Sequence, residues 1–241
     1  MEDKKTYIDL FSGCGGLSLG LHNAGWKGAF AIEKSEDAFK TLEYNLIKKK
    51  KHFDWPNWLE QKHHDINQVL DNHSEELVSL RGKIDLVAGG PPCQGFSIAN
   101  IKRSMEDERN FLYKEMLRII KDKQPKYFVA ENVKGLLSMQ KGKVIEMIVN
   151  DFQELGYDVD YKLLKASDYG VPQNRERVFI IGNRLGLKNP YPKKTHGESQ
   201  DLLPYVTTQE TVGFLADVRI RDKSFVLDNK EIINHKARTN V

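Results

Sequence analysis

The 241-residue chain is 39% hydrophobic with a formal net charge of +3, enough apolar residues for one substantial core and a basic excess too small to dictate an acidic partner. No stretch approaches the roughly 20 apolar residues that span a bilayer, and the opening MEDKKTYIDLF lacks the apolar run of a secretory signal, so a soluble cytoplasmic protein is expected. Cys14 and Cys93 both lie in glycine-rich loops, where a reducing compartment keeps them as thiols.

Taken in chain order, Thr6 to Leu10 (TYIDL) is a β-prone run that enters FSGCGG, and Leu17, Leu19 and Leu21 then open a helix-compatible segment. A second apolar run, Gly28 to Ile32 (GAFAI), ends at Glu33 and is followed by helical spacing at Ala38, Phe39, Leu42 and Leu46. Residues 48–64, with a lysine run, two tryptophans and a proline, break the pattern and read as a surface insertion before a strand-end position at Asp65. A helix is expected from Gln68 to Leu80, then the strand Ile84 to Ala88 (IDLVA), which runs into GGPPCQGFS.

Phe111, Leu112, Met116, Leu117 and Ile120 recur at helical spacing up to Pro125, and Tyr127 to Ala130 (YFVA) is the next strand, leading into ENV. Val144, Ile145, Ile148, Val149, Phe152 and Leu155 mark one face of another helix, closed by Gly156; strands are expected at Tyr157 to Leu164 and Val178 to Ile181. Alternating strands and helices predict a doubly wound, mostly parallel, Rossmann-like α/β sheet of about seven strands with its ligand crevice at the strand carboxyl ends. The motif-bearing loops all fall on that edge. Beyond residue 183 the periodicity fades, giving a cofactor-binding and catalytic domain over 1–183 and, over 184–241, a linker and the start of an incomplete region.

Gly13, Gly15 and Gly16 permit a sharp strand-to-helix turn and close approach of a ligand. Glu33, about 20 residues on, is placed to accept hydrogen bonds from ribose hydroxyls. The glycine pattern is not GxGxxG, and acidic Asp9 beside it disfavours a pyrophosphate while suiting a cationic or zwitterionic ligand. Asp65 fits either contact with an adenine amino group or a helix N-cap. In GGPPCQGFS the prolines fix the backbone and the glycines admit close approach, the mount a nucleophilic Cys93 needs. Glu131 ends the neighbouring strand and is the second catalytic candidate. Arg175 and Arg177, two residues apart, share a side if extended. His63 and His64 are adjacent and lack a further ligand set of recognisable spacing, so no metal is expected.

With these residues in order, the chain resembles the DNA (cytosine-5) methyltransferase family of S-adenosylmethionine-dependent enzymes over roughly residues 6–183. DLFSGCGGLSLG is similar to its cofactor loop, IEK to its ribose-binding acid, GGPPCQGFS to its cysteine loop, ENV to its catalytic glutamate and QNRERVFIIG to its late arginine motif. The resemblance implies an S-adenosylmethionine site built from Asp9, Phe11, Gly13, Gly15, Gly16, Glu33, Lys34, Asp65, Ile66 and Pro92. It implies catalysis by Cys93, Glu131, Arg175 and Arg177 on a cytosine flipped out of duplex DNA, with Pro92 also helping to hold that base. Residues 98–110 resemble the family's mobile active-site loop.

The family continues past such a core into a target-recognition domain and a final segment, and Asn234-His235 resembles the run-up to it. Duplex DNA is the expected partner, and two readings of the missing half stay open: a truncated product, or a split enzyme whose second chain carries target recognition and the C-terminal motifs. The leading expectation is a cytosine-5 methyltransferase of a restriction-modification system. Two alternatives stay open: a cofactor- or DNA-binding subunit inactive without its partner, and an RNA cytosine-5 methyltransferase. A nicotinamide dehydrogenase, suggested by fold alone, does not account for PPCQ together with ENV.

Overall fold

The computed structural model describes residues 5–92, 112–213, 224–227 and 230–233. Six strands form the main sheet: β1 (Thr6–Leu10), β2 (Lys27–Ile32), β3 (Leu86–Gly89), β4 (Tyr127–Val133), β5 (Asp158–Lys165) and β6 (Glu176–Asn183). Their order is β2-β1-β3-β4-β6-β5. β1 is parallel to β2 and β3, and β3 to β4, whereas β6 runs antiparallel to β4 and β5. That reversal has a local cause. Helices separate the other successive strands, but between β5 and β6 there is only a loop with a 3-10 turn, Ala166–Tyr169, too short for the crossover a parallel pair requires.

The expected strand count of about seven becomes six in this sheet. The stretch before Asp65, expected to end a strand, is reduced to a single parallel bridge between Gly28 and Phe53. The Phe53 ring occupies the space where a side chain at residue 28 would sit, and beyond it Pro56 has no N–H to extend a ladder; the chain turns instead, with Trp55 Nε1 donating to the Leu59 carbonyl at 2.7 Å.

Period-two burial along the strands builds a layer on each sheet face. On one face Ile8, Leu10, Val87, Phe128, Ala130, Val178 and Ile180 pack with four helices: α3 (Ile66–Asn72), α4 (Ser74–Ser79), α5 (Leu112–Lys123) and α6 (Lys143–Gln153). Phe128 stacks on Phe152 of α6 with ring centroids 4.2 Å apart. On the other face Tyr7, Ala31, Leu86 and Ala88 meet Phe39, Leu42 and Leu46. These come from α2 (Glu36–Leu42) and its π-helical continuation, Glu43–Lys49. α1 (Gly16–Asn23) follows the first glycine turn. Each fully buried Leu, Ile or Phe here contributes about 1.5–3 kcal/mol of transfer free energy.

The single helix expected from Gln68 to Leu80 is two, because His73 (φ −127°, ψ 34°) leaves the helical region and serves as the junction between α3 and α4. Among the described residues no helix is long and apolar enough to cross a membrane.

The chain divides into two compact units, residues 1–165 with 176–193, and residues 166–175 with 194–241. In the second, buried Asp168 pairs with Lys194 Nζ at 2.7 Å and its carbonyl accepts from the amides of Thr195 and His196. α7 (Thr208–Val212) carries a Thr207–Glu210 capping box, and β7 (Ser224–Leu227) pairs antiparallel with β8 (Lys230–Ile233).

Candidate active site

β1 is the point where the strand order splits, β2 lying on one side of it and β3 on the other, and α/β sheets bind ligands outside the carboxyl ends of the strands at such a switch point. A cleft of about 470 Å³ opens there, within the size range of small-molecule sites. Phe11, Ile32, Glu33, Lys34, His64, Asp65, Ile66, Asn67, Gly90, Pro92 and Leu112 line it.

The glycine turn after β1 sits at its rim. Phe11, Gly13 and Gly15 all take positive φ, at 57°, 54° and 87°, and a Cβ at Gly15 would come within 2.8 Å of Leu46 Cδ1, so this position needs glycine for both conformation and space. Glu33 holds the turn. Its Oε2 accepts from the Gly13 amide and its Oε1 from the Ser35 amide, each at 2.7 Å, while Ser12 N–H donates to the Ile32 carbonyl at 3.1 Å. Two oxygens with four lone pairs still have capacity toward the cleft after these two bonds. Gly16 begins α1 and has open space about its Cα.

Both sequence readings of Asp65 meet in one side chain. It caps α3, accepting from the Asn67 amide at 2.9 Å, and lines the cleft. Its Oδ2 also pairs with Lys34 Nζ at 2.8 Å, and hydrogen bonding to that ammonium draws the Asp65 carboxyl below the ordinary aspartate range. Ile66 is buried as the first residue of α3. Ile32, His64, Asn67, Gly90 and Leu112 are wall residues that the sequence reading does not assign to the site. The signal available for His64 and Asn67 was their adjacency to Asp65; His64 N–H donates to the Glu33 carbonyl at 2.7 Å and locks the two acidic corners together.

Asp9 stands elsewhere. It is fully buried on β1, accepts from Ser18 Oγ of α1 at 2.5 Å, and is not among the cleft-lining residues. Alternation along β1 turns residues 7 and 9 to one sheet face, opposite Ile8 and Leu10, and α1, whose N-cap Gly15 has no side chain to offer, is supported by Asp9 from below. Burial first, and the nearby Glu33 charge last, push the Asp9 carboxyl up from 3.8 to about 7, against the lowering effect of Ser18.

Between those two values the folded state holds the extra proton, so stability falls as pH rises through the window and levels off above about pH 7. Asp9→Asn keeps an acceptor for Ser18 and has no carboxylate to ionise. In urea titrations, wild type is expected to lose about 3 kcal/mol more than Asp9→Asn between pH 5 and pH 8; equal pH profiles would show that Asp9 ionises without cost.

β4 runs past its expected end at Ala130 to Val133 because its last three residues pair with β6, and within it Glu131 Oε1 accepts from Arg177 Nε at 2.9 Å, both side chains being partly buried. The pair follows from register. Glu131 lies opposite Phe179 and Val133 opposite Arg177, so Glu131 and Arg177 are diagonal neighbours on one face of an antiparallel ladder. Arg177 also donates to the Glu176 carbonyl at 2.8 Å, and Glu176 pairs with Lys134 at 2.8 Å. A Cβ placed on Gly90 would lie 3.3 Å from Glu131 Oε2. Gly90 thus lines the cleft and leaves no room for a side chain free of Glu131. Arg175 falls in the second unit. Cys93 and residues 98–110 lie outside the described residues, whereas Pro92, one residue before the thiol, is a cleft wall. Cys14 is an exposed free thiol.

Sheet order, switch-point cleft and strand-end acids define a Rossmann-like α/β protein. The family described as C-5 cytosine-specific DNA methylase matches residues 5–241, and the chain belongs to it. It is 39% identical to Type II methyltransferase M.AquIA of Picosynechococcus sp. over 88% of this chain and 89% of that protein. It is likewise 39% identical to Type II methyltransferase M.BspRI of Lysinibacillus sphaericus, over 89% of this chain but 53% of that one. The chain therefore spans nearly the whole of one relative and about half of the other. Among solved structures, an E. coli prophage protein described as a DNA modification methyltransferase superposes with TM-score 0.70 at 28% identity, covering 98% of this chain and 62% of that one. The Dnmt2 methyltransferase of S. pombe, at 20% identity and TM-score 0.56 over 78% of this chain and 53% of that one, shares the fold.

Proposed function

We propose that the chain transfers a methyl group from S-adenosylmethionine to C5 of a cytosine flipped out of duplex DNA, as the modification enzyme of a restriction-modification pair. The observation that carries this reading is the place of Gly90. It lines the nucleoside-sized cleft, and a Cβ built on it would lie 3.3 Å from Glu131 Oε2 of the Glu131–Arg177 pair, so a donor in the cleft and a base at Glu131 would be within reach of each other.

The cleft fits that donor. Glu33 offers carboxylate lone pairs to ribose hydroxyls, Phe11, Ile32 and Ile66 supply apolar walls for a purine, and Asp65 can accept from its amino group. Glu33 and Asp65, against the single Lys34 that pairs with Asp65, leave the cleft lining with a carboxylate to spare and suit a ligand carrying positive charge. When bound, S-adenosylmethionine supplies a methyl group activated by the sulfonium. The protein's own task is to make cytosine C5 nucleophilic. The Cys93 thiolate forms a bond to C6, which shifts π-electron density onto C5, and Glu131 hydrogen-bonds the N3–N4 edge so that N3 holds a proton as negative charge builds. Arg177 keeps Glu131 oriented. After methylation, the C5 proton passes to solvent water, the C6–S bond breaks and the thiolate leaves, and N3 gives its proton back to Glu131, restoring the neutral ring.

The test is transfer of a tritiated methyl group to duplex DNA and, in parallel, to transfer RNA. Counts on C5 of DNA cytosine support the reading; counts on RNA alone support the RNA enzyme; cofactor binding without transfer supports a subunit that needs a partner. A second expectation concerns Glu33. Glu33→Ala removes both its ribose contacts and the Gly13 anchor, and calorimetric affinity for the cofactor should fall about 10–100-fold, the worth of one to two charge-assisted hydrogen bonds. Unchanged affinity would remove Glu33 from the site.

A further inference from the structure

The ladder between β3 and β4 ends at Gly89 opposite Ala130. Continued by two residues, that register sets Pro91 beside Asn132, and there the backbone can no longer bond in the usual way because proline has no N–H. The Asn132 side chain takes over. Its Nδ2 donates to the Pro91 carbonyl at 3.0 Å, and its Oδ1 accepts from the Val133 amide at 2.8 Å. The second bond fixes the rotamer that makes the first.

The placement has consequences on both sides. Pro91 lies two residues before Cys93 and next to Gly90, where an added Cβ would lie 3.3 Å from Glu131 Oε2; Asn132 is the residue after Glu131. A single side-chain amide therefore ties the strand that bears the carboxylate to Pro91, two residues before Cys93 in the sequence. We infer that Asn132 is a positioning residue: through the Pro91 carbonyl it sets the start of the Cys93 loop relative to Glu131. This rests on the reading of Cys93 and Glu131 as the groups that act on cytosine. Asn132 itself needs no contact with cofactor or base, and the cleft-lining residues do not include it.

The inference separates from a general structural role by what changes and what stays. In Asn132→Ala, kcat for methyl transfer should fall about 10–100-fold, the scale of a misplacement near 1 Å, while the KM for S-adenosylmethionine stays within about twofold. Asn132→Gln, which keeps the donor, should recover most of the loss. Independently of turnover, iodoacetamide labelling of the full chain, read by peptide mass, should show the Cys93 rate changed at least about fivefold with Cys14 unchanged as internal reference. Should Asn132→Ala fail to fold, Asn132→Ser carries the same measurements. Parallel loss of cofactor affinity, or a joint shift of both thiols, overturns the inference, as does a kcat within twofold of wild type. If wild type itself transfers no methyl group, the proposed function fails, and the Cys93 to Cys14 labelling ratio alone decides whether Asn132 sets the loop.

Discussion

Cys93→Ser is expected to lower methyl transfer by at least about 10³-fold, some 4 kcal/mol of barrier, without loss of S-adenosylmethionine binding. A thiol near neutral pH is a few per cent ionised and strongly nucleophilic, whereas a serine hydroxyl needs a base to act at all; Glu131, the carboxylate assigned to the base, already has its Oε1 engaged by Arg177. Cofactor binding should survive because the donor-side contacts of the cleft come from Phe11, Glu33, Asp65 and Ile66. The measurement is intact mass after incubation with cofactor and duplexes carrying 5-fluorocytosine, whose fluorine blocks the final proton loss and traps the adduct. Wild type should gain the mass of the DNA strand and Cys93→Ser should not. Equal turnover by the two proteins would remove Cys93 from the mechanism.

The sequence carries the strand-end acids well because each needs only a strand, a turn and an offset. Glu33 and Glu131 end predictable apolar runs, and both reach the edge where the cleft lies. What burial decides is less legible. Asp9 stands one residue from β1's end in the same glycine motif, yet strand alternation sends it under α1 to Ser18, a partner nine residues away that no local pattern marks. The division between α3 and α4 was hidden because Val69, Leu70 and Leu77 keep helical spacing across His73. The resemblance implies Lys34 as the last residue of IEK, but its bond to Asp65 depends on the path of the intervening insertion. The antiparallel β6 could have been read from the missing helix between Leu164 and Val178. Asn132 required the register of β3 against β4, which only the folded sheet supplies.

The Glu131–Arg177 pair should behave as a unit rather than as two residues. Glu131→Gln keeps an acceptor for Arg177 and can still face N4, but it lacks the carboxylate that favours protonation at N3; a loss of about 10²–10³-fold in kcat is expected, the scale of removing one general-acid contact. Arg177→Ala leaves a partly buried carboxylate without the guanidinium that orients it, and an unpaired charge in such a place costs more than the pair itself contributes. Its kcat should fall about 10–10²-fold. If Arg177 acts through Glu131, then once Glu131 is glutamine the further loss on removing Arg177 is small, and the double variant should sit within about threefold of Glu131→Gln alone, a coupling of about 0.7–2 kcal/mol. Single-turnover rates at saturating cofactor measure all four corners of the cycle. Simple additivity would mean that Arg177 meets the substrate on its own account, and its 2.9 Å bond to Glu131 would then be a contact of the free enzyme that is exchanged when the base enters.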